Sequence, residues 1–107
     1  MIFESTRLVY SRWQVQCKNT TSVSLDDVAK EVGLTHFLKS NVIVIVSTGK
    51  IGPAARNYAN KVMSDSNLAI AMIDHTGIKA IVENPSFIID VLTAEAKHAM
   101  KLKKIEI

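Results

Sequence analysis

Residues 42–46 read Val-Ile-Val-Ile-Val. Five β-branched side chains in unbroken succession are stiff at χ1 and suit a strand better than a helix. The run does not alternate with polar residues, so a strand here must be covered on both faces. That is the pattern of a central strand in a parallel sheet. The run is far too short to cross a bilayer. Downstream, Pro53 suits the first turn of a helix through Ala54, Ala55, Tyr58, Ala59 and Val62. Residues 68–73 form a second apolar strand. Strand, helix, strand is a βαβ unit, and its strands should run parallel.

The flanking sequence completes the layout. Over residues 13–18 the chain alternates, with Trp13, Val15 and Cys17 on one face and Gln14, Gln16 and Lys18 on the other. Polarity predicts that the first set is buried and the second projects outward. Residues 1–5 are partly apolar, and a turn at Ser5, Thr6 and Arg7 would make an antiparallel hairpin. Ser24 is a good N-cap, with Asp26 and Asp27 in the first turn. Leu25, Val28, Ala29 and Val32 then recur at helical spacing, Gly33 should end that helix, and residues 34–38 should form a separate short turn. Residues 49–52 should be a plain loop. Asp74 or His75 should open a short helix through Ile78, Ala80, Ile81 and Val82. Asn84 and Pro85 should serve as N-cap and first residue of a last helix, with Ile88, Val91, Leu92, Ala96, Ala99 and Met100 facing inward. The expectation is one α/β domain over residues 1–107, a mixed sheet flanked by helices in three layers.

Composition narrows the function classes. Of 107 residues, 48% are hydrophobic and 21% charged, which excludes wholesale disorder. Glu4 and Arg7 interrupt any apolar leader segment. The lone Cys17 excludes a disulfide framework and fits a reducing cytoplasm. His36, His75 and His98 match no metal-site spacing and read as surface or capping residues. The net charge of +3 permits nucleic-acid binding without demanding it. An aromatic content of 6% argues against a stacking platform for single strands. Residues 47–53 (STGKIGP) join strand to helix and lack the spacing of a Walker loop. Lys97, Lys101, Lys103 and Lys104 read as a solvated basic tail.

The chemistry centres on Gln16-Cys17-Lys18. A glutamine and a lysine two apart on a strand share a face, and a lysine so held can orient a water or stabilise charge on a phosphate. After it come a helix, the hydrophobic strand, Ser47-Thr48-Gly49, an Ala-rich helix with Tyr58, and a strand ending in Ile73-Asp74. This succession resembles the Q-x-K variant of the PD-(D/E)xK nucleases, and among them the Mrr-like restriction endonucleases, over roughly residues 8–83.

The resemblance implies a restriction-endonuclease-like fold and Mg²⁺-dependent hydrolysis of phosphodiesters in duplex DNA. It implies that Lys18 assists the attacking water, that Gln16 is a metal ligand and that the backbone carbonyl of Cys17 is a further ligand. Gln is a neutral oxygen donor and a weaker ligand for a hard cation than a carboxylate. The family's aspartate lies on the preceding strand, and here Glu4, the only carboxylate upstream of the motif, is the candidate metal residue in its place. The expectation is therefore a nuclease domain without its N-terminal elements, a fragment of a longer protein or a degenerate copy, inactive on its own for want of that aspartate. A non-catalytic DNA-binding or assembly module of the same fold is the alternative. A third reading is a small α/β domain that binds a ligand or protein at the strand C-terminal ends. Lys50, Arg56 and Asn19 are candidate DNA contacts. The missing elements should leave an uncovered apolar patch and favour a homodimer.

Overall fold

The computed structural model describes residues 2–5 and 11–103, with residues 2–5 and Ser11 described by backbone alone. The expected turn at Thr6 and Arg7 lies outside the described residues. The elements are β1 (Ile2–Ser5), β2 (Ser11–Lys18), β3 (Ser22–Val23), α1 (Leu25–Leu38), β4 (Val42–Ser47), β5 (Lys50–Ile51), α2 (Pro53–Asp65), β6 (Ala69–Ile73), α3 (His75–Glu83) and α4 (Phe87–Leu102). The main sheet runs β1-β2-β4-β6. β1 pairs antiparallel with β2, and β2, β4 and β6 are mutually parallel. This is the mixed α/β sheet flanked by helices that the sequence predicts. No described helix is long and apolar enough to cross a membrane.

Two crossovers, β2-α1-β4 and β4-α2-β6, step across the sheet in one direction. Crossovers of one hand place both helices on one face, and α1 and α2 indeed share it. Beneath them lies the core: Val23, Val28, Ile43, Ile45, Ala55, Ala59, Met63, Ile70 and Met72. α4 crosses the free edge of β6. Glu95 accepts a hydrogen bond from the Met72 N–H at 2.9 Å, which satisfies a donor on that edge. Lys103 donates to the carbonyls of Met63 and Ser66, both at 2.7 Å, and so closes the C-terminus of α2. Burial pushes the Lys103 ammonium below its usual range. Lys103 is thus half-buried and structural, not part of a solvated tail.

The register inverts the expected faces of β2. Gln14 stands beside Ile43, and Gln16 beside Ile45. Ile43 and Ile45 point into the α1/α2 core, so the glutamine face of β2 is the covered one. Gln14 is only 3% exposed, and Cys17, expected inside, is exposed. Burial of Gln14 is possible because its amide is fully committed. Nε2 donates to the Glu31 carbonyl (3.0 Å) and to Glu31 Oε1 (2.9 Å), and Oε1 accepts from the Ser40 hydroxyl (2.7 Å). Glu31 of α1, a charged residue, is itself only 2% exposed.

Helix boundaries bring further corrections. Gly33 does not end α1, which runs on to Leu38. An added Cβ at Gly33 meets nothing, so the position is an ordinary helical one. The helix ends instead at Lys39, in the left-handed region at φ 57°, with its N–H on the Thr35 carbonyl. Asn84 is the C-cap of α3, and α4 starts after Ser86 rather than at Pro85. Within α4 only Ala99 is buried, while Ile88 and Ala96 are exposed. Residues 50–51 are a short strand, β5, paired parallel with β3.

At the start of α1, Ser24 and Asp27 form a reciprocal capping box. The Asp27 carboxyl is held below its usual range, chiefly by the hydrogen bond from the Ser24 N–H; burial opposes this, and the Ser24 hydroxyl, Lys18 and Lys30 add to it.

Two outcomes are expected. Gln14→Ala strands Glu31 and Ser40 and should cost about 3 kcal/mol, whereas Cys17→Ser should change stability by less than about 0.5 kcal/mol. Urea denaturation of both variants gives the ranking, and the reverse order would contradict the faces assigned to β2. A carboxyl whose folded pKa is depressed contributes stability above its unfolded value, here 3.8, and loses it as the pH falls through the folded value. Asp27→Asn should therefore be less stable than the wild type at neutral pH, and the gap should close in acid below that value.

Candidate functional site

Gln16 and Lys18 lie at the C-terminal end of β2, level with Ile45 and Ser47 of β4. Both are half-buried on the face beneath α1. The structure thus brings these two residues together. Lys18 lies close enough to the N-terminal turn of α1 for its charge to help hold the Asp27 carboxyl ionised.

The backbone of Cys17 is oriented by strand alternation. The carbonyls of Arg12 and Lys18 accept from the N–H groups of Asn41 (3.0 Å) and Thr48 (3.1 Å), so even-numbered residues of β2 bond towards β4. Odd-numbered residues must then bond the other way. The Cys17 carbonyl accordingly turns to the edge where β1 lies. The first described pair on that edge is Ile2 with Gln14. No described residue stands opposite Cys17 there.

The same register locates Glu4. It pairs with Arg12. Its backbone position is four residues short of Gln16, about 13 Å along the strand. No described residue of β1 stands opposite Gln16. Among the described residues no three His, Cys, Asp or Glu side chains come together in a metal-holding group. A hard divalent ion wants six or more oxygen donors, carboxylates among them. Gln16 and the Cys17 carbonyl offer two neutral ones, so the described residues do not fit a divalent ion on their own.

Beside Lys18 the loops after β2, β4 and β6 meet at one end of the parallel sheet, where ligands of such sheets gather. They enclose an open cleft of about 530 Å³. Asn19, Thr20 and Thr21 come from the first loop, Thr48, Gly49 and Lys50 from the second, and His75 from the third. The loops are tied together. Thr48 donates to Asn19 Oδ1 (2.9 Å), the Lys50 N–H to the Thr21 carbonyl (3.0 Å), and the His75 N–H to the Gly49 carbonyl (3.0 Å). Gly49 is required by this closeness, because an added Cβ would overlap the carbonyl oxygens of Thr20 and Thr21.

Of the expected DNA contacts, Lys50 and Asn19 share this cleft and are exposed. Arg56 does not. Its guanidinium is paired with Glu95 at 3.2 Å and lines a different cleft of about 540 Å³ among α2, α3 and α4. The sequence reading missed His75, Thr20 and Thr21 as cleft residues. The signal was present, because parallel strands bring the loops at their C-terminal ends together.

A family model described as restriction endonuclease matches residues 1–82, which run from β1 through most of α3. No curated protein and no solved structure matches the chain.

Gly49→Ala should lower stability by about 1–3 kcal/mol through the overlap with the Thr20 and Thr21 carbonyls. Gly33→Ala, in open helical surroundings, should raise it by up to about 1 kcal/mol. Thermal unfolding of the two variants checks the pair, and equal behaviour would contradict the tight loop packing.

Proposed function

The chain belongs to the Mrr-type family of restriction endonuclease domains, and from that premise we propose that it engages duplex DNA at the cleft beside Lys18 and carries an incomplete hydrolytic site. The observation that carries this reading is the shared face of Gln16 and Lys18 at the end of β2, where the next residue, Asn19, lines a cleft together with Lys50. Lysine and amide donors along that rim suit backbone phosphates, which fix position without reading sequence. A divalent ion, if bound beside Lys18, would neutralise charge at the phosphate and activate the water. Gln16 and the Cys17 carbonyl would face that task here, and among the described residues no three His, Cys, Asp or Glu side chains gather to share it. Hydrolysis of phosphodiesters therefore requires an acidic donor from elsewhere, and the chain by itself acts as a DNA-binding module of nuclease fold.

Association of two copies belongs to the same proposal. Val82 and Ile89 are 74% and 67% exposed at the α3–α4 corner, with Phe87 and Ile88 beside them. Burial of such side chains against a second copy is favourable. A lone cysteine, with its thiol exposed, suits a reducing cytoplasm. Light scattering at high protein concentration should show a dimer, and a clean monomer would contradict this part.

The direct test is a nicking assay on supercoiled plasmid with Mg²⁺ or Mn²⁺, beside a gel shift at low salt. The protein and Lys18→Ala should both leave the plasmid intact. Both should shift DNA, with Lys18→Ala weaker and its salt slope reduced by about one. Metal-dependent nicking that Lys18→Ala abolishes would overturn the incomplete-site reading. Absence of any shift at low salt would overturn the DNA reading.

A further inference from the structure

His75 lines the same cleft as Asn19 and Lys50, and its side chain is exposed. Its ring is oriented from behind. Nδ1 lies 3.3 Å from the Gly49 carbonyl, which already accepts the His75 N–H. A carbonyl oxygen only accepts, so a hydrogen bond there puts a proton on Nδ1. Nε2 is then the ring nitrogen left for another partner. The Thr76 hydroxyl stands 3.4 Å from it and can turn to donate or accept. With Nδ1 bound to a carbonyl, an anion at Nε2 finds a donor only when the ring is an imidazolium.

The surroundings favour an anion in the cleft. Among the described residues no carboxylate lines it. Asn19 Oδ1 is occupied by the Thr48 hydroxyl, which leaves the Asn19 amide N–H groups to donate. Lys50 supplies a positive charge. The elements packed against α3 are β4, β6 and α4. β4 and β6 contain no charged residue. α4 contributes Asp90 and Glu95, which line the other cleft together with Asp74, the N-cap of α3. That other cleft also holds Arg56 and His98, whereas the cleft of His75 holds Lys50 and the Asn19 amide with no carboxylate among its lining residues.

We infer that His75 is a proton-linked phosphate contact: a backbone phosphate of DNA sits against Nε2 of the imidazolium, with Lys50 and the Asn19 amide on the same anion. Binding then takes up one proton from solvent and breaks no covalent bond. The inference rests on the reading that this cleft holds DNA, and it adds a dependence of affinity on acidity that neither Lys50 nor Asn19 supplies.

Fluorescence anisotropy with a labelled duplex tests it, using the wild type, His75→Gln and Lys50→Ala at about pH 6 and about pH 8, the interval in which histidine changes charge. The wild type should bind about tenfold tighter at the acid end, the size of one charge-assisted hydrogen bond. His75→Gln, which keeps a polar side chain, should lose that gain and match the wild type at the alkaline end. Lys50→Ala should bind more weakly at both, keep the gain, and show a salt slope smaller by about one. A gain that survives in His75→Gln would assign it to His36 or His98 and overturn the inference while leaving the DNA reading intact. A wild type that binds no duplex at either pH would overturn both.

Discussion

The buried amide of Gln14 is the interaction on which the geometry of the site depends. Its three hydrogen bonds lock the middle of β2 under α1 and against the turn that carries Ser40. A strand has a period of two, so fixing one residue fixes the face of all the others. Once Gln14 points into the layer beneath α1, Gln16 and Lys18 must follow, and Trp13 and Cys17 must take the opposite face. A slip by one residue would bury Cys17 and expel Gln16 and Lys18. It would also strand Glu31, a carboxylate 2% exposed. Leaving such a group without partners is among the more costly defects a small core can hold.

From that fixed strand the rest of the site follows by topology. Parallel β2, β4 and β6 end at the same side of the sheet, so their three following loops converge. Gly49 lets two of them approach more closely than any side chain would allow. The His75 N–H then ties the third loop to the Gly49 carbonyl. The result is a donor-lined cleft beside Lys18, held by backbone bonds rather than by long flexible side chains. The same register leaves Gln16 without a described carboxylate across the sheet, because β1 pairs only as far as Gln14. One constraint thus sets both the face that Gln16 and Lys18 share and the loop cleft that Asn19 and Lys50 line.

Much of the fold was legible in the sequence because its signals are local. The β-branched run at residues 42–46, Pro53 at the first turn of α2, Ser24 and Asp74 as caps, and the βαβ order all appear in the structure. The faces of β2 were misread because polarity alone points a glutamine outward, and only its distant partners Glu31 and Ser40 make burial tolerable. Gly33 was read as a stop although nothing downstream demanded one, while Lys39 takes the left-handed cap that glycine usually fills. β3 and β5 are two residues each and carry no periodic signal. That Gln16 and Lys18 share a face was legible because their spacing is local to one strand. Arg56 was misplaced because its partner Glu95 is thirty-nine positions away. His75 was passed over as a cleft residue because the cleft exists only after three separate loops have met.

The measurement that tests the central claim most directly is amide chemical-shift mapping of the labelled protein with a short duplex, with chelator and again with Mg²⁺. The account predicts shifts concentrated at residues 18–21, 48–50 and 75–77, with the same pattern and affinity in both conditions. Shifts centred on α4 and the cleft that holds Arg56 would contradict the placement of DNA. A pattern that appears only when Mg²⁺ is added would contradict the claim that this chain holds phosphate without a complete metal site.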